Sequence, residues 1–321
     1  MRQWLLACSL LGLASICSAQ ALPAEFDHNR IRLAVPAPDG STLRFYTDSG
    51  GGWNAIARAA VLRLKLPKNG ALEYDGKSLA LVDFPAFMGK AGVPAPYVDG
   101  YLHGKLVETD MPWFEEDGFL GSSWFAGHVW RIDYGRHDMA LLHAWKPGAQ
   151  EHAVPLGFQA NDAGERTSNM PRVTIRVDGR PLEVLLDTGA TLSLTDDSAP
   201  EFKVAPGAQV GGSFIMKTVF DQWHARHPDW RVIDRGDGLK GKVFPLIEVP
   251  RVDVGGFTVG PVWFALRPDP AFTDMMSSMM DKPVVGAFGG SGLQYFHVVL
   301  DYPAATASFG LNETAKDQVQ R

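Results

Sequence analysis

Residues Arg172-Val173-Thr174-Ile175-Arg176-Val177 alternate polar and apolar, the period of a strand with one buried face. Asp178-Gly179 supplies a hairpin turn, and Leu182 to Leu186 returns as a buried strand. A similar unit follows in Arg251-Val252-Asp253-Val254, the turn Gly255-Gly256, and Phe257 to Ala265. Helical periodicity is scarce. A helix-like run spans Phe214 to His227, and a Met-containing run spans Asp274 to Asp281. Lys146 to Asn169 is polar, contains Pro and Gly, and lacks a clear period, so it reads as a linker. The pattern predicts a mostly β protein.

Composition sharpens this picture without redirecting it. The 321 residues are 45% hydrophobic and 21% charged, ordinary values for a globular chain, which excludes disorder, collagen-like repeats and a polytopic membrane protein. At roughly 150 residues per domain the length predicts about two domains. The 34 glycines and 22 prolines exceed average usage and favour short strands joined by turns. A net charge of −6 with no long basic run leaves no electrostatic footprint for nucleic acid.

Met1-Arg2-Gln3 provides a short basic start, Trp4 to Ile16 is apolar or small, and Ser18-Ala19-Gln20-Ala21 offers small residues for cleavage after Ala19 or Ala21. These features predict a secretory signal peptide over residues 1–19, and hence a periplasmic or secreted protein with no membrane span after cleavage. An uncleaved anchor, or lipidation at Cys17 behind the bulky Ile16, fits less well. Cys8 and Cys17 both lie in this leader, so the mature chain would carry no thiol, disulfide or thiolate metal site.

One pattern occurs twice. Gly118-Phe119-Leu120-Gly121-Ser122-Ser123, continuing to Val129-Trp130-Arg131-Ile132-Asp133-Tyr134, aligns with Gly286-Ala287-Phe288-Gly289-Gly290-Ser291, continuing to Val298-Val299-Leu300-Asp301-Tyr302, at a constant offset of 168. Upstream, Phe45-Tyr46-Thr47-Asp48-Ser49-Gly50 aligns with Val184-Leu185-Leu186-Asp187-Thr188-Gly189 at an offset of 139. The second half is therefore longer between its motifs, and the surplus is expected in Gly211 to Trp230 or in Asp274 to Asp281. The implied organisation is an N-terminal lobe over 20–145, a linker over 146–169 and a C-terminal lobe over 170–321.

An acid directly after a buried strand, followed by a Gly that permits a tight loop, would be a costly isolated charge. Two such acids brought together by a pseudo-two-fold axis cannot both ionise easily and share a proton instead. The ionised member can then take a proton from water while the protonated member polarises a carbonyl.

At these residues the sequence resembles the pepsin/retropepsin clan of aspartic peptidases, nearest to bacterial secreted proteins with two retropepsin-like lobes in one chain. The run Val184-Leu185-Leu186-Asp187-Thr188-Gly189-Ala190-Thr191-Leu192-Ser193 fits the active-site signature, and Phe119-Leu120-Gly121 and Ala287-Phe288-Gly289 match the later Gly element of each lobe. The resemblance implies a bilobal pepsin-like (acid protease) β-barrel fold with pseudo-two-fold related lobes. It also implies an Asp48/Asp187 dyad, with Thr188, Gly189, Ser49 and Gly50 forming its supporting loops. The substrate would be a peptide or protein, with no metal or other cofactor, and the chain a monomer. The first lobe departs from the pattern: Tyr46 and Thr47 precede the acid and Gly51-Gly52 follow the triplet. A flap hairpin should lie between Asp48 and Gly118, with Tyr74, Tyr97 or Tyr101 as its tyrosine.

Other readings stand beside this one. Asp133 and Asp301 match across the repeat but end strands before a turn, so they read as turn acids. The nine histidines, His224 and His227 included, show no recognised metal spacing. The run Met275-Met276-Ser277-Ser278-Met279-Met280 reads as an apolar insert or lid, with a soft copper site as the alternative. Gly51 and Ala190 offer the carboxylates no hydroxyl, which predicts a pH optimum nearer weakly acidic to neutral than strongly acidic. The spacing from leader to Asp48 leaves little room for a long pro-segment. Two further functions are carried forward. One is a pepsin-like fold without catalysis that binds peptides or envelope components; the other is a homodimer in which only the second lobe supplies its acid.

Overall fold

The computed structural model describes residues 19–98, 102, 104–110, 115–239 and 241–319. The expected leader falls outside this range except for Ala19. The protein is mostly β, as the alternating segments predict, and bilobal, as the duplicated motifs and the resemblance imply. Three large sheets organise it: one in each lobe and one shared between them.

The two lobe sheets repeat one topology. In the first, Thr42–Thr47 runs parallel to Gly118–Leu120, which pairs antiparallel with Asn54–Ala57. In the second, Arg180–Leu186 runs parallel to Gly286–Phe288, which pairs antiparallel with Ser213–Met216. Each lobe then continues outward through a further parallel strand (Leu106–Thr109; Val262–Arg267) to an antiparallel hairpin. The hairpins are Lys68–Tyr74 with Lys77–Val82, and Val232–Leu239 with Lys242–Val249. The Asp178-Gly179 and Gly255-Gly256 turns join the strand pairs expected of them.

The surplus of the second lobe does not lie where the sequence suggested. The offset between halves is 139 at the acids, 159 at Ala55 and Phe214, and 168 at Phe119 and Ala287. Most of the extra chain therefore falls between Asp187 and Ser213, as the short strands Thr191–Ser193 and Gln209–Gly211 around the helical turn Ala199–Phe202. The helix-like run is a strand, Ser213–Met216, followed by a helix, Lys217–Arg226. That helix has a first-lobe counterpart in Arg58–Leu64, so it is part of the repeat.

The third sheet joins the lobes. Val129–Asp133 pairs with Phe296–Asp301 over five residue pairs, with Arg131 opposite Val299. Asp138–Leu142 and Thr306–Leu311 flank them. The edges are Ala19–Ala21 on one side and His152–Pro155 on the other. The polar segment read as a linker thus carries a strand that occupies, for the second lobe, the place of Ala19–Ala21. Apolar faces from both lobes form one continuous core. Under the shared sheet Trp124, Phe125 and Trp130 pack edge-on and tilted in a fully buried cluster, and the Trp130 indole donates to Phe125 O at 2.8 Å. Asp133 and Asp301 accept bonds from backbone N–H groups two to three residues on, which closes the turns after their strands.

Candidate active site

Each acid sits where a buried strand stops and its loop begins. Asp48 N–H donates to Leu120 O at 2.9 Å, and Asp187 N–H donates to Phe288 O at 2.9 Å, so both loops leave their sheets at the same point. Within each loop the glycine two residues on donates to the carboxylate: Gly50 to Asp48 at 2.8 Å and Gly189 to Asp187 at 2.9 Å. These bonds orient the side chains toward the axis relating the lobes.

The loops then grip one another. Ser49 N–H donates to Thr188 Oγ1 at 3.0 Å, and Thr188 N–H donates to Ser49 Oγ at 3.0 Å. Ser49 Oγ also donates to Leu186 O at 2.7 Å. Both hydroxyl residues are buried, so each of these donors would be stranded without the other lobe. The small residues are required by proximity. A Cβ on Gly189 would lie 2.2 Å from Asp48 Cγ, and one on Gly50 would lie 2.6 Å from Asp187 Cγ. The structure therefore brings together all six residues singled out in the sequence, and the acid pair is complete within one chain.

The electrostatics follow from that proximity. Burial pushes the Asp187 carboxyl well above the usual range, and the charge of Asp48 pushes it further. Asp48 opens partly to the cleft and is also raised by burial, although hydrogen bonds from Asp187, Gly50 and Gly51 oppose the shift. The arrangement favours one shared proton over two charges.

The departures in the first lobe have structural reasons. Tyr46 sends its hydroxyl across to the other lobe, donating to Gly189 O at 2.9 Å beside Thr191 Oγ1 at 2.7 Å. Thr47 Oγ1 donates to Ile31 O at 3.1 Å. A Cβ on Gly51 would meet the Phe119 ring at 2.3 Å, so Phe119 occupies the space a larger residue would need.

Beside the dyad lies a cavity of about 870 Å³. Its walls come chiefly from the second lobe and include Thr191, Ser193 and Gln209 of the inserted strands. Thr191 and Ser193 belong to the signature run, but their place in a cavity wall, and Gln209 altogether, were missed because the strands are too short to carry a period. It also missed Arg30 and Arg267, which line the same cavity. The first-lobe hairpin turns at Asp75-Gly76, both with positive φ, and places Tyr74 edge-on to Trp53 at 4.3 Å between ring centroids. The Asp-Gly pair between apolar positions was the available signal for this hairpin. Tyr97 lies over Gly127, and Tyr101 is outside the described residues. No residue of this hairpin lines the cavity, whereas Gly238 and Leu239 of the second-lobe hairpin do.

The remaining candidates are dispersed. His227 bonds Asp178 and stacks on Trp230, His297 bonds Glu151, and His152 bonds Gly255 O. Among the described residues no three His, Cys, Asp or Glu side chains form a metal-sized group. The methionine run coils over Ala271–Met276 and Ser277–Met279; Met280 is buried, Met276 and Met279 pack on the core, and Met275 is exposed. It packs as an apolar insert and does not line the cavity.

No protein-family model and no curated protein matches the chain. Among solved structures it is similar to an aspartic proteinase from Irpex lacteus, with a TM-score of 0.50 and 10% sequence identity, over 93% of this chain and 98% of that one. At this identity the likeness is one of fold: the mostly β, bilobal pepsin-like architecture.

Two outcomes follow from the geometry. Ser49→Ala removes the acceptor of the buried Thr188 N–H and should cost about 1–3 kcal/mol of stability, read by urea denaturation. Asp187→Asn should stabilise the fold at neutral pH. A carboxyl raised in the folded state contributes stability below its unfolded value of about 3.9, and that contribution is lost as pH rises through the folded value. Thermal melts should therefore show a gain for Asp187→Asn at pH 7 that shrinks near pH 3.

Proposed function

We propose that this protein is an exported aspartic endopeptidase that hydrolyses peptide bonds in the cleft between its lobes. The observation that carries the reading is the pair Asp48 and Asp187, held face to face on equivalent loops and open to a cavity large enough for peptide side chains. With one shared proton, the ionised carboxyl removes a proton from a water molecule as its oxygen attacks the carbonyl carbon. The protonated carboxyl donates a hydrogen bond to the carbonyl oxygen as negative charge develops there. Collapse of the tetrahedral intermediate breaks the C–N bond, and the proton taken from water passes to the leaving amine. Ser49, Thr188, Gly50 and Gly189 hold the carboxyls in register, and the reaction needs neither a metal nor a covalent intermediate.

Export rests on the apolar leader and its small residues. Among the described residues no helix is long and apolar enough to cross a membrane. Cleavage after Ala19 suits the fold better than cleavage after Ala21. Gln20 and Ala21 pair with Leu141 and Ala140, and Gln20 Nε2 donates to Gly92 O at 2.7 Å. The mature protein, purified from the periplasm or medium of its host, should begin at Gln20 by intact mass. A chain beginning at Leu22, or one retaining the leader, would count against this site.

Activity on a mixed peptide library should fall by about a thousandfold or more in Asp48→Asn and in Asp187→Asn alike. Loss in Asp187→Asn alone would leave the first lobe structural; absence of turnover under any condition would favour a peptide-binding protein. Raised carboxyls move the basic limb of the pH–rate profile upward, so the optimum should be weakly acidic to neutral. A maximum below about pH 3 would contradict this.

A further inference from the structure

The cavity beside Asp187 has two buried guanidinium groups in its wall, one from each lobe. Arg30 begins the strand Arg30–Pro36. Its Nη2 donates to Glu116 Oε1 at 3.1 Å, its Cζ lies 4.7 Å from the centre of the Tyr46 ring, and its Nε is buried without a partner. Arg267 ends the strand Val262–Arg267. It donates to Asp237 Oδ2 at 2.6 Å and to Leu266 O at 3.0 Å, and its Cζ lies 4.1 Å from the centre of the Phe214 ring.

The counter-ions stand behind these groups. Neither Glu116 nor Asp237 lines the cavity, and each is tied elsewhere as well: Glu116 also accepts from Arg32 at 2.8 Å, and Asp237 from Ser193 N–H at 2.7 Å. The cavity therefore meets one guanidinium from each lobe, while its acids are the two dyad carboxyls, which share a proton. Each guanidinium has five donors; Arg30 gives one to Glu116 and also meets the Tyr46 hydroxyl, and Arg267 gives two. Thr191, Ser193 and Gln209 complete a polar wall that the first lobe lacks, because the insert supplying it has no first-lobe counterpart.

We infer that this cavity is a subsite for a carboxylate carried by the substrate peptide, recognised by Arg30 and Arg267 on the second-lobe side of the scissile bond. The inference takes its substrate class from the peptidase reading above. A carboxylate matches the planar fork of a guanidinium, which binds it through two parallel N–H donors. A Lys or Arg side chain there would face two like charges and is rejected. The carboxylate comes either from an Asp or Glu side chain or from the C-terminus of the peptide.

The test uses matched peptides with Glu or Gln at each position around the cleavage site, each made with a free and with an amidated C-terminus. For the unaltered protein, kcat/KM should favour Glu by about tenfold or more at one position. A preference that survives amidation assigns the carboxylate to a side chain; a preference for the free C-terminus over the amide assigns it to the chain end. The ratio of acidic to neutral substrate should fall toward one in Arg30→Met, where Arg32 still neutralises Glu116. It should also fall in the paired variant Asp237→Asn/Arg267→Met, which strands no buried charge. A ratio of one or less in the unaltered protein, or a ratio unchanged in both variants, overturns the inference. If no peptide is cleaved, fluorescence anisotropy with the same peptides separates the two ideas. Tighter binding of the acidic peptide, lost in both variants, upholds the subsite without the peptidase; equal binding removes the subsite.

Discussion

Two carboxyl groups forced into contact, one buried and the other opening only partly to the cleft, set the terms for the rest of this structure. Like charges at that range oppose folding, and the chain meets the cost by sharing a proton and by bracing both sides of the pair. Ser49 and Thr188 satisfy each other across the lobes, and the glycines beside the acids are there because any side chain would collide with the opposite carboxylate. Neither loop has this geometry alone. The brace, the shared sheet and the common core are the means by which two similar lobes hold one site.

Symmetry explains the chemistry, and asymmetry explains the cavity. The topology repeats strand for strand from the acids to the outer hairpins, yet the cavity opens mainly against the second lobe. The reason is local. The chain after Gly189 makes an extra strand pair before rejoining the common plan, whereas after Gly50 it returns to the sheet within a few residues. Tyr46 crosses from the first lobe to close one end of that extra wall.

Much of this was legible in the sequence because repetition makes weak signals strong. Asp-Ser-Gly and Asp-Thr-Gly are ordinary turns singly, but with a second pair of glycine motifs at a constant offset they mark equivalent places in two lobes. The strand pairs at Asp178-Gly179 and Gly255-Gly256 were legible from alternation and turn chemistry. The inserted strands were not, since three residues do not make a period, and the helix Lys217–Arg226 drew attention to the wrong segment. Arg30 and Arg267 carry no local signal. They lie far apart in the chain and meet one cavity only because the two lobes pack together. Gly51 departs from the pattern of the clan because the Phe119 ring fills the space a side chain would need.

The sheet shared by the lobes has a mechanical consequence. Val129–Asp133 and Phe296–Asp301 are joined by continuous backbone hydrogen bonds, and a buried aromatic cluster lies beneath them. Such a seam resists hinge motion, because swinging the lobes apart would shear the ladder and expose that cluster to water together. The cavity is bordered by the second-lobe hairpin, whose Gly238 and Leu239 line it and which lies outside the seam. The shared sheet makes the body of the protein a stiff frame.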